Sequence, residues 1–216
     1  AEREVIGFLD QWQSLLVESS GDSLIFEEIF DGLLFRGEVP PLRNGKHVLF
    51  RCSKKFNGKD RVRLWIEHLC GCAASGTEPF ESLFVCNDKK YLHAKSVPAD
   101  QAKMMIQELL QIRKSGLQIP IPFFPNSSFA YFEKINDAGL KNDSTEVEIE
   151  QAKKNALVEA KKAWAGAIFK GGEVPGDGKD FSVQTCFGKS PFGDPQFANL
   201  SEFFFRNFDQ FVEERS

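Results

Sequence analysis

The tripeptide Asp88-Lys89-Lys90 is the clearest pairing of an acid with a lysine in this chain. A carboxylate close to a lysine can hold Mg²⁺ and help to position an attacking water, as metal-dependent hydrolysis of a phosphodiester requires. The string lies between two apolar runs, Ser82–Cys86 and Tyr91–Lys95, and the pair Asn87-Asp88 is typical of a turn. Catalysis would need these side chains along a strand and a second acid nearby, so we expect a hairpin turn here.

The segment Phe30–Lys55 holds a second candidate site. It is interpreted as two strands joined by a turn at Pro40–Gly45, a frame that resembles the one on which two-metal nucleases of the RecB type carry two acids and a lysine. In the best register, Phe35, Arg51 and Ser53 take those three positions. An aromatic ring and a guanidinium cannot bind Mg²⁺, which needs oxygen ligands. The pattern therefore indicates a degenerate nuclease frame; on spacing alone, an unrelated hairpin with Phe35 in the core and Arg51 at the surface is favoured.

Basic residues cluster after the second of these strands. The candidate DNA contacts are Lys54, Lys55, Lys59, Arg61 and Arg63, together with Lys89 and Lys90 at the tip of the next hairpin. Basic side chains contact phosphates and supply the sequence-independent part of DNA binding. The alternative is a solvated loop and helix face, which is the commoner fate of such a cluster.

Two further motifs suggest cofactors but fit them poorly. His68-Leu69-Cys70-Gly71-Cys72 offers one ligand set where structural zinc sites use two, so we expect buried free thiols on a helix. Gly172–Asp180 approaches a phosphate-binding loop, but its glycine spacing is one residue too long and Asp180 replaces the Ser or Thr that would bind Mg²⁺. We therefore predict no cofactor and no metal site in this chain.

Composition places the chain among ordinary globular proteins. It has 216 residues, 42% hydrophobic and 27% charged, with a net charge of −4, which argues against nucleic-acid binding over the whole surface. Five cysteines and the lack of a long apolar run predict reduced thiols in a cytoplasmic protein without a membrane span. The 22 phenylalanines predict a large core or faces covered by partners. The first residue is Ala1 and not Met, so we expect a fragment of a longer chain.

The elements that must position these residues alternate between helices and strands. Residues 1–135 are predicted to form an α/β core with a small mixed sheet, and residues 136–216 a helical and loop extension that packs on it in one globular unit. The predicted helices are Glu2–Leu16, one from Asp60 as N-cap, one from Pro98 to Gly116, one capped by Asn126 or Ser127, Thr145–Gly166 and Leu200–Glu214. The predicted strands are Leu24–Glu38, Lys46–Ser53, the two flanking Asn87–Lys90 and Ile119–Phe124, with a loop at Gly171–Pro195.

Three segments in order, Leu64–Ala73, the helix Asp100–Ser115 and Pro122–Ser127, resemble the C-terminal domain of the RecC family. RecC is the gamma subunit of exodeoxyribonuclease V, the RecBCD helicase–nuclease. The resemblance implies a catalytically degenerate restriction-endonuclease-like (PD-(D/E)xK-type) core with a helical C-terminal tail. It also implies a non-catalytic role in subunit assembly and in guiding and splitting duplex DNA during double-strand break repair and recombination. RecB-like and RecD-like subunits and duplex DNA would be the partners, and ATP and Mg²⁺ would be used in the parent complex.

Two other functions remain open. The first is an active metal-dependent nuclease of the same fold, in which Asp31, Glu38 or Asp88 would supply ligands. The second is a protein-interaction module that does not contact DNA. As a fragment of a heterotrimer, the isolated chain could form a homodimer through an exposed phenylalanine surface that normally meets another subunit.

Overall fold

The structure is a computed structural model that describes residues 6–8, 12–15, 21–51, 55–87, 90–141, 143–169, 172–188 and 191–215. In these residues the helices are α1 Gly58–Ala74, α2 Ala99–Gln118, α3 Pro125–Asp137, α4 Glu146–Ala165, α5 Phe181–Phe187 and α6 Pro195–Phe211. The strands are β1 Leu24–Phe30, β2 Leu33–Val39, β3 His47–Arg51, β4 Ser82–Cys86, β5 Tyr91–Ala94, β6 Gly166–Phe169, β7 Gly172–Pro175 and β8 Val212–Arg215. Short 3₁₀ turns lie at Gln13–Leu15 and Asp177–Lys179. No helix in the described part is long and apolar enough to cross a bilayer.

The chain divides into two compact units. The first comprises Ala1–Phe56, Asp60–Arg113 and Phe208–Ser216, and the second comprises Asn57–Lys59 and Lys114–Asn207. The predicted boundary after residue 135 and the packing of residues 136–216 on the core remain predictions.

A four-stranded mixed sheet organises the first unit, in the order β3-β4-β5-β8. Strands β3 and β4 are parallel and are connected through α1, whereas β4–β5 and β5–β8 are antiparallel. Every residue of β4 is buried, as expected for an interior strand. The predicted α/β architecture with a small mixed sheet is therefore confirmed.

Strand β8 corrects the predicted terminal helix Leu200–Glu214. The helix ends at Phe211, and the next four residues pair with β5, with Val212 opposite Ala94. Ion pairs hold the new strand, because Glu213 bonds Lys95 and Glu214 bonds Arg61. The run Glu-Glu-Arg carries no apolar alternation, so its local sequence did not indicate a strand.

The predicted single strand Leu24–Glu38 is wrong, because it is a hairpin of β1 and β2. Asp31 and Gly32 form its two-residue turn with φ of 49° and 79°, the left-handed geometry that Asp-Gly accommodates in a type I′ hairpin. Alternation sorts the hairpin into two faces. The inner face carries Phe26, Phe30 and Phe35, whereas Ile25, Ile29 and Leu34 lie on the exposed outer face.

Helix α1 packs its apolar stripe within the first unit. Its close packing leaves no space for a Cβ at two glycine positions. A Cβ on Gly71 would lie 2.1 Å from the Phe80 ring, and one on Gly37 of β2 would lie 2.9 Å from Cys70 Sγ. These close approaches allow the helix to lie against the hairpin and the loop before β4. The helix begins two residues before Asp60, so Asp60 is not its N-cap and instead pairs with Arg51.

In the second unit, α3 and α4 enclose an aromatic core. Its buried members are Phe124, Tyr131, Ala156, Ala160, Phe192 and Phe197. Thr145 and Glu148 form the capping box that begins α4. Helix α3 is capped from a distance, because Asp177 Oδ2 accepts from Ser127 N at 2.8 Å and from Ser127 Oγ at 2.9 Å. The predicted caps Asn126 and Ser127 are therefore themselves bound by Asp177.

Three other local predictions are wrong. Helix α2 continues past Gly116 to Gln118, and the absent Cβ at Gly116 leaves room for Ile121. No strand forms at Ile119–Phe124, where Pro120 and Pro122 remove two backbone donors. The predicted loop Gly171–Pro195 contains β7, α5 and the turn that carries Asp177. Phe205 of α6 is fully buried and packs on Phe129 and Phe132.

Candidate functional site

The two described positions of the nuclease frame lie in separate sheets. The Phe35 ring on β2 packs against Phe26 and Phe30, with centroid distances of 5.9 and 6.4 Å. Arg51 at the end of β3 pairs with Asp60 of α1. Ser53, the third position, lies outside the described residues. The Phe35 ring thus packs among aromatic side chains and Arg51 forms an ion pair. Neither side chain has an oxygen that could bind a metal ion.

The two described acids of the alternative active site, Asp31 and Glu38, lie at different positions along the β1–β2 hairpin. Asp31 occupies the hairpin turn and accepts a hydrogen bond from Gln111 of α2. Glu38 lies on the outer face of β2 opposite Ile25, and Asp88 lies outside the described residues. Within the described ranges, no group of three or more His, Cys, Asp or Glu side chains is arranged to hold a metal ion.

The thiols of the His68–Cys72 motif are buried, as expected. Burial raises the pKa of Cys70 to about 11, with a further contribution from the charge of Glu67. Burial also raises the pKa of Cys72 to about 11, although a hydrogen bond from the backbone N–H of Val97 acts to lower the pKa. Both thiols therefore stay protonated near neutral pH and behave as small apolar side chains.

Helix α1 exposes some side chains of the basic cluster and buries another. Lys59 and Arg63 lie four residues apart on one exposed face of the helix, and Lys55 is exposed just before it. Arg61 is 8% exposed; its Nη2 lies 2.9 Å from Glu214 Oε2 and its guanidinium lies over the Phe208 ring. Lys54 lies outside the described residues. The exposed side chains are thus those with room for a phosphate.

Lys90 belongs to a second group of charges at the end of β5. Its Nζ lies 3.4 Å from Glu214 Oε1, so Glu214 is shared between Lys90 and Arg61. Burial raises the pKa of Glu214, but the hydrogen bond from Arg61 and the charges of both cations outweigh it and lower the pKa. Lys89, its predicted neighbour at the hairpin tip, lies outside the described residues.

A buried histidine cluster is the feature that the sequence did not indicate. All three histidines of the chain, His47, His68 and His93, are buried in the first unit. Ser82 Oγ lies 3.1 Å from His47 Nδ1 and 2.9 Å from His68 Nδ1. The pairing of β3 with β4 creates this contact, because His47 and Ser82 are partners in the register.

Acids and a backbone carbonyl complete the cluster. His68 Nε2 lies 3.0 Å from the carbonyl oxygen of Lys95, and His47 Nε2 lies 3.2 Å from Glu67 Oε2. His93 Nε2 lies 3.3 Å from Glu81 Oε2. Neither His47 Nε2 nor His93 Nε2 makes a hydrogen bond with a described residue, so each of these two contacts is an ion pair only when the histidine is protonated. Burial lowers the pKa of His68 to about 4, although its bond to Lys95 acts in the other direction.

Comparison with known proteins places the chain in a family. The family model described as the RecC C-terminal domain matches residues 1–136, which include β1–β5, α1, α2 and most of α3. The chain belongs to the RecC C-terminal domain family, and the resemblance seen in its sequence is confirmed. RecBCD enzyme subunit RecC of Escherichia coli (strain K12) is 26% identical over 129 residues, which cover 58% of this chain and 11% of that protein. The matched region is thus a small part of that relative's length.

Proposed function

We propose that this chain is the non-catalytic C-terminal domain of a RecC-type gamma subunit in an ATP-dependent exodeoxyribonuclease V. In this role it would help to assemble RecB-like and RecD-like subunits and would guide duplex DNA during double-strand break repair and recombination in the cytoplasm. ATP and Mg²⁺ would be used by the partner subunits. Membership of the RecC C-terminal domain family carries the proposal.

The geometry of the degenerate frame supports the non-catalytic part. A restriction-endonuclease-like core needs acids on neighbouring strands to hold its metal ions. At the corresponding positions this chain has Phe35 within an aromatic cluster and Arg51 in an ion pair with Asp60. A single substitution would not restore a ligand set, because Phe35 and Arg51 lie in different sheets.

The cleavage test uses linear duplex DNA with Mg²⁺ or Mn²⁺ and compares the purified chain with Arg51→Asp. We expect no cleavage by either protein. Cleavage by the wild type that persists at constant specific activity through successive purification steps would establish the active nuclease instead. Substitutions of Asp31 and Glu38 would then identify the ligands.

DNA guidance is proposed for the exposed cations around the start of α1. Lys55, Lys59 and Arg63 expose their side chains, whereas Arg61 is engaged by Glu214. Phosphate contacts of this kind weaken with salt, because binding releases counterions from the DNA.

A protein-interaction module without DNA contact is the second candidate, favoured by the bond of Arg63 to Glu67 at 2.8 Å and by the net charge of −4. Salt-independent failure to bind DNA, alone and in the assembled complex, would establish it.

Strand splitting is proposed for the tip of the β1–β2 hairpin. Ile29, Leu33 and Leu34 flank the turn and are 67%, 51% and 64% exposed. Apolar side chains that enter between base pairs unstack them. The hairpin is held on its inner face and at its turn. Glu28 on the inner face pairs with Lys103 of α2 at 3.0 Å, and Asp31 in the turn bonds Gln111. A wedge must be held in this way to resist the force of DNA moving past it.

The test of the wedge is duplex unwinding by the complex assembled with RecB-like and RecD-like subunits. Ile29→Ser with Leu34→Ser should slow unwinding while leaving assembly intact, because both side chains face solvent. Val147→Ser is the matched control, since Val147 is an equally exposed apolar residue on α4. Unchanged unwinding by the double variant would remove the hairpin from this role.

A further inference from the structure

The hydrogen bonds of the histidine cluster have a fixed direction. The carbonyl oxygen of Lys95 can only accept, so His68 Nε2 must carry a proton. A neutral His68 then has a bare Nδ1, which accepts from the Ser82 hydroxyl. Because that hydroxyl has only one proton, Ser82 Oγ must in turn accept from His47 Nδ1. The backbone carbonyl thus sets the tautomer of each ring in the series.

The direction of these bonds determines what faces Glu67. With a proton on Nδ1, a neutral His47 would place an unprotonated Nε2 3.2 Å from Glu67 Oε2. A second proton on His47 would turn this contact into an ion pair. Glu67 is ready to be the anion, since burial raises its pKa but its contacts with His47 and Arg63 outweigh burial and lower the pKa.

We propose that His47, Ser82 and His68 form a proton-linked latch that fastens α1 to the four-stranded sheet. The latch is closed when His68 is neutral, with Nε2 bonded to Lys95 and Nδ1 bonded to Ser82. It opens when His68 takes up a second proton. A protonated His68 would donate from Nδ1, so Ser82 would receive donors from both rings and its own proton would have no acceptor.

The latch joins four parts of the first unit. His68 and Glu67 are on α1, His47 is on β3, Ser82 is on β4 and the carbonyl of Lys95 follows β5. Breaking the bonds at Ser82 therefore loosens the helix from two strands at once.

Other charges around the latch oppose a second proton on His68 or are already neutralised. The positive forms of His47 and His93 disfavour that proton, whereas Glu81 favours it. Glu81 is itself paired with Lys46 and His93, and the Cys72 thiol, 3.4 Å from His68 Nε2, is uncharged. The charged Nζ of Lys95 is bonded to Glu213.

Proton-detected ¹⁵N NMR of the imidazole rings tests the latch in the wild-type chain. We expect His68 to remain a neutral ring protonated at Nε2 as the pH falls from about 7.5 to about 5, the range in which an ordinary histidine becomes charged. In the same samples His47 should carry a proton on Nδ1. A His68 ring that is protonated at Nδ1, or that titrates like an exposed histidine, would overturn the proposal. A His47 ring without a proton on Nδ1 would overturn it too.

Two variants separate the latch from general packing. Ser82→Ala should raise the pH at which His68 titrates and speed amide hydrogen exchange in α1 in acid. Ser201→Ala is the control, because Ser201 is also fully buried but bonds Phe197 on α6. Equal effects of Ser82→Ala and Ser201→Ala on exchange in α1 would contradict the latch.

Discussion

Arg61 of α1 donates to Glu214 of β8 across 2.9 Å, although 153 residues separate them in the chain. The guanidinium is buried and also lies over the Phe208 ring, and Glu214 compensates its charge. The pair joins the C-terminal strand to the helix that follows β3. It explains why a short strand without an apolar pattern belongs to the first unit.

Glu214→Gln should destabilise the first unit, because it removes the carboxylate that pairs with the buried Arg61 guanidinium. A buried charge that loses its partner costs about 3–5 kcal/mol. Since the Glu214 side chain is 39% exposed, solvent screening should reduce the loss of free energy of unfolding to roughly 1–3 kcal/mol. Urea unfolding followed by tryptophan fluorescence measures it, since Trp65 stacks on Phe211 at the end of α6.

Glu213→Gln is the control for that prediction. Glu213 is the neighbouring acid of β8, and its bonds to Lys95 and Arg215 are exposed to solvent. Its removal should change stability far less than Glu214→Gln does. An equal loss in the two variants would show that β8 depends on total charge and not on the buried pair.

Gly71→Ala should disrupt the contact between α1 and the loop before β4. The new Cβ would lie 2.1 Å from the Phe80 ring, closer than any real contact, so the ring must move. Overpacking of this kind costs about 1–3 kcal/mol, more than the gain in helix propensity from Gly to Ala. Thermal unfolding measures the loss, and Gly71→Ala with Phe80→Leu should recover part of it.

Gly193→Ala is the matched control for the glycine contact. No heavy atom lies within 4 Å of a Cβ at Gly193, and its φ is not in the left-handed region. This variant should unfold like the wild type. A destabilised Gly193→Ala, or a neutral Gly71→Ala, would show that the Phe80 contact does not limit residue size.

Local sequence predicted the elements whose signals are short. The helix predicted from Asp60 corresponds to α1, the strands predicted on either side of Asn87–Lys90 correspond to β4 and β5, and the predicted helix Thr145–Gly166 corresponds to α4. Asp31-Gly32 is a strong local signal for a hairpin, whereas the apolar run around it favours one continuous strand. In the structure the turn chemistry of Asp31-Gly32 prevails over the hydrophobic run.

Features created by pairing distant segments could not be predicted. His47, His68 and His93 are isolated in the sequence, and they meet only because β3 pairs with β4 and α1 covers them. Asp177 caps α3 from 50 residues away. The sequence indicates a cluster of basic residues, but it does not indicate which of them are exposed. The direction of each side chain on α1 buries Arg61 and exposes Arg63. Hydrophobic periodicity does not contain this long-range information.

Lys59→Glu with Arg63→Glu should weaken binding of the chain to duplex DNA and flatten its salt dependence. Removing one phosphate interaction should reduce the slope of log K against log salt by about 0.9. Titration of labelled duplex at several salt concentrations measures the slope. Lys162→Glu is the control, because Lys162 is an exposed cation on α4 that pairs with Glu159 at 2.8 Å. An unchanged slope in the double variant would remove this face of α1 from the DNA-binding surface.

The stability of the first unit should fall as the pH drops from 6.5 toward about 4, because burial holds the pKa of folded His68 at about 4 against its ordinary value of 6.5. Above 6.5 the ring is neutral in both states and its contribution is complete; below 6.5 the unfolded chain binds the proton first and folding is opposed. The difference corresponds to at most about 3 kcal/mol.

Glu67 and Glu81 also lose stabilising charge in acid, but their pKa values lie below 4.5, so the loss between about pH 6.5 and 5 belongs to histidine. Urea midpoints across this range measure the loss, and His68→Gln should flatten the profile while Ser201→Ala leaves it unchanged. A wild-type midpoint that is constant over the range would show that His68 is not held neutral by the fold.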